Sequence, residues 1–149
     1  MREILFRGQT RRKGEKVRMD GSPVESNWVY GGVLCGSGDH SIIYQTEPDI
    51  AKKVVYTDTL GQYTGLTDKN GTKIFEGDVV RISEDYYDGL HYSGNEVYYS
   101  DGAFCVEYET PEYDVTSIGF LVREGVEVEV IGNIYDNPEL IGGADNENS

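Results

Sequence analysis

Apolar residues along the chain fall into short alternating runs separated by polar turns, and this pattern predicts strands rather than helices. The clearest alternation is "VEVEVIGNIY", which places Val126, Val128 and Val130 on one face and Glu127 and Glu129 on the other. "EVYYSDGAFCVEY" predicts a hairpin centred on Asp101-Gly102, with Phe104, Val106 and Tyr108 on one face of the return strand and Cys105, Glu107 and Glu109 on the other. "EILFR" predicts a first strand at 3–7. The polar, glycine-containing 8–26 that follows reads as an exposed turn region. Strand formers resume in "NWVYGGVLCG", where Gly31-Gly32 predicts a bulge or bend. "SGDHSIIYQ" and "KKVVYT" read as a turn with its return strand, then another strand.

The densest stretch is "TLGQYTGLTDKNGTKIFEGDVVRI", residues 59–82. "DKNG" is a tight turn with two solutions. One is a two-residue loop at Asn70-Gly71; the other is a type I turn from Asp68 that ends in a left-handed Gly71 with a bulge. After Gly77-Asp78, Val80 and Ile82 share one face and Arg81 takes the other. "IYDNPEL" predicts one or two helical turns at most, capped by Asp136 or Asn137 with Pro138 first and stopped by Gly142-Gly143. The pattern therefore predicts one mostly-β domain over 1–141 with about nine to eleven short strands, coiled into a small barrel, and a frayed tail at 142–149.

Charge changes the picture of what the chain can meet. The net charge is −14. Residues 1–18 carry seven basic and two acidic side chains, and the rest carries six basic and 25 acidic. Such an acidic body repels phosphate backbones and anionic lipid surfaces, so direct nucleic-acid binding is disfavoured. No signal-peptide pattern and no long apolar stretch is present. Cys35 and Cys105 then read as free thiols in a reducing cytoplasm.

Five blocks carry a family resemblance: "REILFRG", "NWVYGGVL", "TLGQYTGLTDKNGTKIFEGDVV", "YSDGAFCVEY" and "VEVIGNIYDNPELI". In these blocks and their order the chain resembles the YopX family of phage and prophage proteins, while 9–26 and 84–96 match poorly. The resemblance implies an all-β fold of coiled sheets that includes an SH3-like barrel. It implies a bacterial host cytoplasm. It brings no established activity, cofactor or functional residue.

The residues themselves offer few chemical constellations. Glu76 and Asp78 would point the same way in a regular strand, but Gly77 breaks the regularity and an Asp beside Gly commonly accepts turn amides. His40 and His91 lack a nucleophile motif, and Cys35 and Cys105 lack metal-ligand spacing. "GSGD" is a hairpin turn rather than a phosphate loop. Tyr86, Tyr87 and Tyr92 belong to a tyrosine-rich stretch without Lys or Arg, which suits a protein contact better than base stacking. The run Arg11-Arg12-Lys13 is a solvated basic loop or a contact for an acidic neighbour, including a second copy of the chain. The sequence thus points to a non-enzymatic protein-interaction module with no cofactor, whose partner is a host or phage protein. The alternatives are a nucleic-acid-related protein, through the basic loop or as an acidic competitor of DNA, and a carboxylate-dependent hydrolase.

Overall fold

The computed structural model describes residues 3–15, 18–22, 24–86, 89–108 and 115–141, without the side chains of Cys35, Ser37, 84–86 and 89–93. Twelve strands dominate the described residues. They are β1 (Phe6–Arg11), β2 (Asn27–Ser37), β3 (His40–Gln45), β4 (Ala51–Tyr56), β5 (Gly61–Thr67), β6 (Lys73–Phe75), β7 (Asp78–Tyr86), β8 (Gly89–Glu96), β9 (Tyr98–Ser100), β10 (Ala103–Val106), β11 (Thr116–Ser117) and β12 (Glu127–Asn133). One helix, α1 (Ile118–Arg123), and 3-10 turns at Thr57–Thr59 and Pro138–Leu140 complete the set. The chain forms two compact units, 1–63 and 64–149, divided within β5.

The first unit holds strands in the order β4-β3-β2-β1-β5, and β5 lies beside β6 after it enters the second unit. β2 is long because it serves two partners, β1 up to Gly31 and β3 from Gly32. Gly31 is required there: a Cβ would collide with the carbonyl oxygen of Tyr44, whereas Gly32 has open space. The bulge falls a little further on, where Leu34 is left without a cross-strand partner between Val33 and Cys35. Val29, Ile43, Val55 and Leu60 form this unit's core. β1 begins at Phe6 and runs to Arg11, later than the sequence pattern predicts. Gln9 explains the shift: it is 1% exposed, and its N–H donates to Thr59 Oγ1 at 2.9 Å. A buried polar residue with a long-range partner is invisible to apolar periodicity.

The second unit contains the antiparallel sheets β12-β7-β8 and β11-β10-β9. Its core gathers Ile74, Val80, Ile82, Val97, Val106, Ile118, Leu121 and Val128, with Phe104, Tyr108, Val126 and Val130 packed against them. The alternations read from "VVRIS", "AFCVEY" and "VEVEV" therefore hold. Arg81 sits on the other face and pairs with Glu129 at 2.6 Å.

The Asp68 turn takes the second of its two solutions. Gly71 N–H donates to Asp68 O at 3.0 Å, Gly71 has φ +84°, and Asn70 stays out of the left-handed region. At the other hairpin both Asp101 (φ 52°) and Gly102 (φ 84°) are left-handed, the requirement of a two-residue type I′ loop.

Two expectations need correction. No barrel closes among the described residues: β4 and β6, β8 and β12, and β9 and β11 are end strands, so the fold is a set of open antiparallel sheets. Closure requires first and last strands to pair, and local spacing carries no information about that. Helical structure is also not confined to the C-terminus. The expected turn there is the 3-10 turn with Pro138 first, but α1 lies upstream. Ser117 caps it by accepting Phe120 N–H at 3.1 Å, Ile118 and Leu121 bury its inner face, and Gly125 closes it by donating to Val122 O. Six residues are too few for a helical period to emerge. The tail at 142–149 lies outside the described residues.

Candidate interaction surface

The face of the first unit is set by cross-strand register. β3 and β4 pair His40 with Tyr56, Ile42 with Val54, and Tyr44 with Lys52. These three pairs share one face, because side chains alternate along a strand. The intervening pairs, Ser41 with Val55 and Ile43 with Lys53, take the opposite face, where Ile43 and Val55 are buried. β2 extends the first face through Gly32, which pairs with Tyr44, and Tyr30, two residues earlier. Val54 is 57% exposed, Tyr30 45% and the bulged Leu34 53%. A bulge re-aims side chains at a strand edge, and here it leaves Val33 and Leu34 both exposed.

At one end of this face a pocket of about 300 Å³ opens, lined by Arg12, Gly38, Asp39, His40, Tyr56, Thr57 and Asp58. Five local devices hold it. The β2–β3 turn places Asp39, with Gly38 at φ +59°. Thr57 N–H donates to Asp39 O at 2.8 Å, and the Ser41 and Thr57 hydroxyls are 2.8 Å apart. Thr59 Oγ1 donates to Tyr56 O at 2.6 Å. The His40 and Tyr56 rings lie 5.1 Å apart at 36°. Arg12 then folds over the site: its Cζ is 4.0 Å from the Tyr56 ring centroid, and its terminal nitrogen donates to both Asp58 oxygens at 3.0 and 3.2 Å. Tyr56 OH donates to Glu15 Oε1 at 2.8 Å, which raises the phenol pKa above its usual value; burial and the Glu15 charge add to that.

The basic run therefore divides. Arg12 faces the pocket, Arg11 Nε donates to Glu25 O at 2.9 Å, and Lys13 lies in an exposed turn. Tyr87 lies outside the described residues. Tyr86 and Tyr92 are placed by backbone pairing in β7 and β8, but their side chains, like that of His91, lie outside the description. Among the described residues, Tyr98 and Tyr99 of the tyrosine-rich stretch lie in β9, with the exposed Tyr99 ring 5.3 Å from Phe104, and a separate aromatic face is built from Tyr30, Tyr44 and Tyr56. Its sequence signal was the shared parity of 40, 42, 44 and of 52, 54, 56 in two neighbouring strands.

The carboxylates of the central block serve the second unit's scaffold. Asp68 accepts N–H groups from Asn70 (2.8 Å), Thr72 (2.9 Å) and, 62 residues away, Val130 (2.9 Å). Burial alone would raise its pKa, but these donors and Lys69 outweigh it and the net direction is down. Asp78 is buried and accepts Phe75 N–H at 2.7 Å. Glu76 contributes charge next to Glu96, whose pKa is raised by burial first and then by Glu107 and Glu76. Cys105 is a free, buried thiol whose pKa burial raises, with Asp101 adding to the effect. Among the described residues no helix is long and apolar enough to cross a membrane.

A family model and a curated relative identify one family. The YopX protein family model matches residues 7–142. An "SPbeta prophage-derived uncharacterized protein YopX" of Bacillus subtilis is 33% identical over 115 residues, 69% of this chain and 83% of that protein. The crystal structure of protein yopX from Bacillus subtilis aligns with TM-score 0.57 at 24% identity, covering 95% of this chain and 99% of that one, which speaks to the fold. A second crystal structure, from Enterococcus faecalis, aligns at TM-score 0.48 and 24% identity over 95% of this chain and 99% of that one. The chain belongs to the YopX protein family.

Proposed function

We propose that this chain is a non-enzymatic protein-interaction module of phage or prophage origin that acts in the bacterial cytoplasm. One observation carries the reading: Val54 stands exposed on β4 two residues from the Tyr56–Arg12 stack, and Leu34 and Tyr30 stand exposed on β2 of the same sheet. Apolar and aromatic side chains held on a rigid sheet supply the buried centre of an interface, and the charged groups around them supply its rim. Support for binding over catalysis comes from the carboxylates of the central block, since Asp78 and Asp68 are committed to backbone amides. A nucleic acid would meet aromatic faces here, but also Asp39, Asp58 and Glu15 and a chain of net charge −14.

The test is recovery of a partner from host cells in which the prophage genes are expressed. The native chain and Glu139→Lys retain the same partner, while Val54→Lys and Leu34→Lys lose it. Equal recovery by all four would end the reading.

A further inference from the structure

We infer that the pocket between Arg12, Asp39, His40, Tyr56 and Asp58 is a seat for one cationic side chain, arginine or lysine, presented by a basic partner protein. This rests on the reading of the β2–β4 face as a binding surface and names the chemistry of its occupant.

The seat is already in use by the chain itself. Arg12 lays its guanidinium over the Tyr56 ring at 4.0 Å and forks onto Asp58. An aromatic face plus a carboxylate is the combination that holds a guanidinium. That half of the pocket is filled from inside. The other wall is Asp39 in the β2–β3 turn with the His40 ring, which stands 5.1 Å from Tyr56. A second cation entering there meets Asp39, the Tyr56–His40 aromatic wall and the outer side of Asp58. Tyr56 is held for this task, because its hydroxyl is tied to Glu15 and its backbone is braced by Thr59.

The charge balance selects a cation over an anion. Two carboxylates, Asp39 and Asp58, line the pocket against one guanidinium, and a third, Glu15, accepts from the Tyr56 hydroxyl. The first unit, pocket included, carries nine basic and eight acidic side chains, +1, and the second carries four and nineteen, −15, for a net −14 over the chain. Such a chain steers basic surfaces inward over long distances and repels acidic ones. The size is also selective. At about 300 Å³ the pocket sits at the lower limit of ligand sites, which suits one side-chain head rather than a whole cofactor. The apolar pair Ile42–Val54 continues from it along the same face, followed by Tyr44 paired with Lys52, so an anchored cation is followed by an apolar contact at Ile42 and Val54.

The experiment is an NMR titration of the isotope-labelled full chain with four probes: a short peptide with one central arginine, its lysine counterpart, its citrulline counterpart and an octathymidylate. Saturable shifts confined to 38–41 and 55–58 are expected with the arginine and lysine peptides and none with citrulline. Asp39→Asn is expected to weaken arginine-peptide binding at least about threefold, and Arg12→Ala, which empties the occupied half, to strengthen it. The spectra themselves report whether each variant is folded. Equal binding of the citrulline peptide, shifts elsewhere on the chain, or a larger response to octathymidylate would overturn the proposal. If the peptides leave the pocket untouched while partner recovery still depends on Val54, the cation seat falls and the interaction surface stands. If the peptides bind and Val54 has no effect on recovery, the surface reading falls instead.

Discussion

The guanidinium carbon of Arg12 stands 4.0 Å from the centre of the Tyr56 ring, so the segment after β1 is fastened to the end of β4. The contact is exposed, with the Arg12 and Asp58 side chains 44% and 67% accessible. Exposed pairs of this kind are worth little to stability. Arg12→Ala is therefore expected to cost no more than about 1 kcal/mol in urea unfolding. A loss of several kcal/mol would show that the stack is a structural element rather than part of a working surface.

The Tyr56 phenol has its own signature. Its hydrogen bond to Glu15 holds the pKa above the ordinary tyrosine value. A raised acid pKa means that this contribution is complete below the unfolded value and is lost as pH rises through the folded one. Glu15→Gln removes the carboxylate and is expected to move the Tyr56 titration back down, read from its ring resonances between about pH 9 and 12. No movement would remove Glu15 as the cause.

Asp68 holds the Asn70–Thr72 turn against Val130 in the second unit. Asp68→Ala leaves three backbone donors without their carboxylate and is expected to cost about 3 kcal/mol. The depressed pKa sets the sign of the acid response. The contribution is present above the unfolded value, about 3.8, and fades as pH falls through the lower folded value. Asp68→Asn is expected to flatten that part of the stability curve. Identical acid curves for native and Asp68→Asn proteins would contradict this.

Gly31 and Gly32 are neighbours with opposite demands. A Cβ on Gly31 meets the Tyr44 carbonyl, whereas one on Gly32 meets nothing. Gly31→Ala is expected to destabilise by about 2–4 kcal/mol and Gly32→Ala to stay within about 0.5 kcal/mol, as measured by urea unfolding. Equal effects would mean that the β2–β3 register is misplaced.

These cases show which parts of the fold the sequence carries. The Asp68 and Asp101 turns and the Val126–Val130 alternation are local chemistry, and each could be read from a few neighbouring residues. Gln9 could not, because its burial depends on Thr59, 50 residues away. Helix α1 was missed because six residues show no period, though Ser117 and Gly125 bracket it as cap and stop. Barrel closure failed as an expectation because it depends on whether distant end strands meet. The candidate surface follows the same rule. Tyr30, Tyr44 and Tyr56 are scattered singly, and only the register of β2, β3 and β4 gathers them, whereas the tyrosine-rich stretch stood out because its members are close in sequence.

The face itself is separable from the fold. Val54→Thr is expected to leave stability within about 0.5 kcal/mol, since the side chain is 57% exposed, while Val55→Ala, at a fully buried neighbour, is expected to cost about 2 kcal/mol. Urea unfolding of the two variants checks this, and similar losses would place Val54 in the core.

The most direct test of the central claim is photo-crosslinking in the host cell with a photoreactive residue at position 54, on the β4 face, or at position 139, in the second unit. The account predicts a discrete adduct from position 54 that disappears when Tyr56 is replaced by Leu, and none from position 139. An adduct from position 139 with none from position 54 would contradict it.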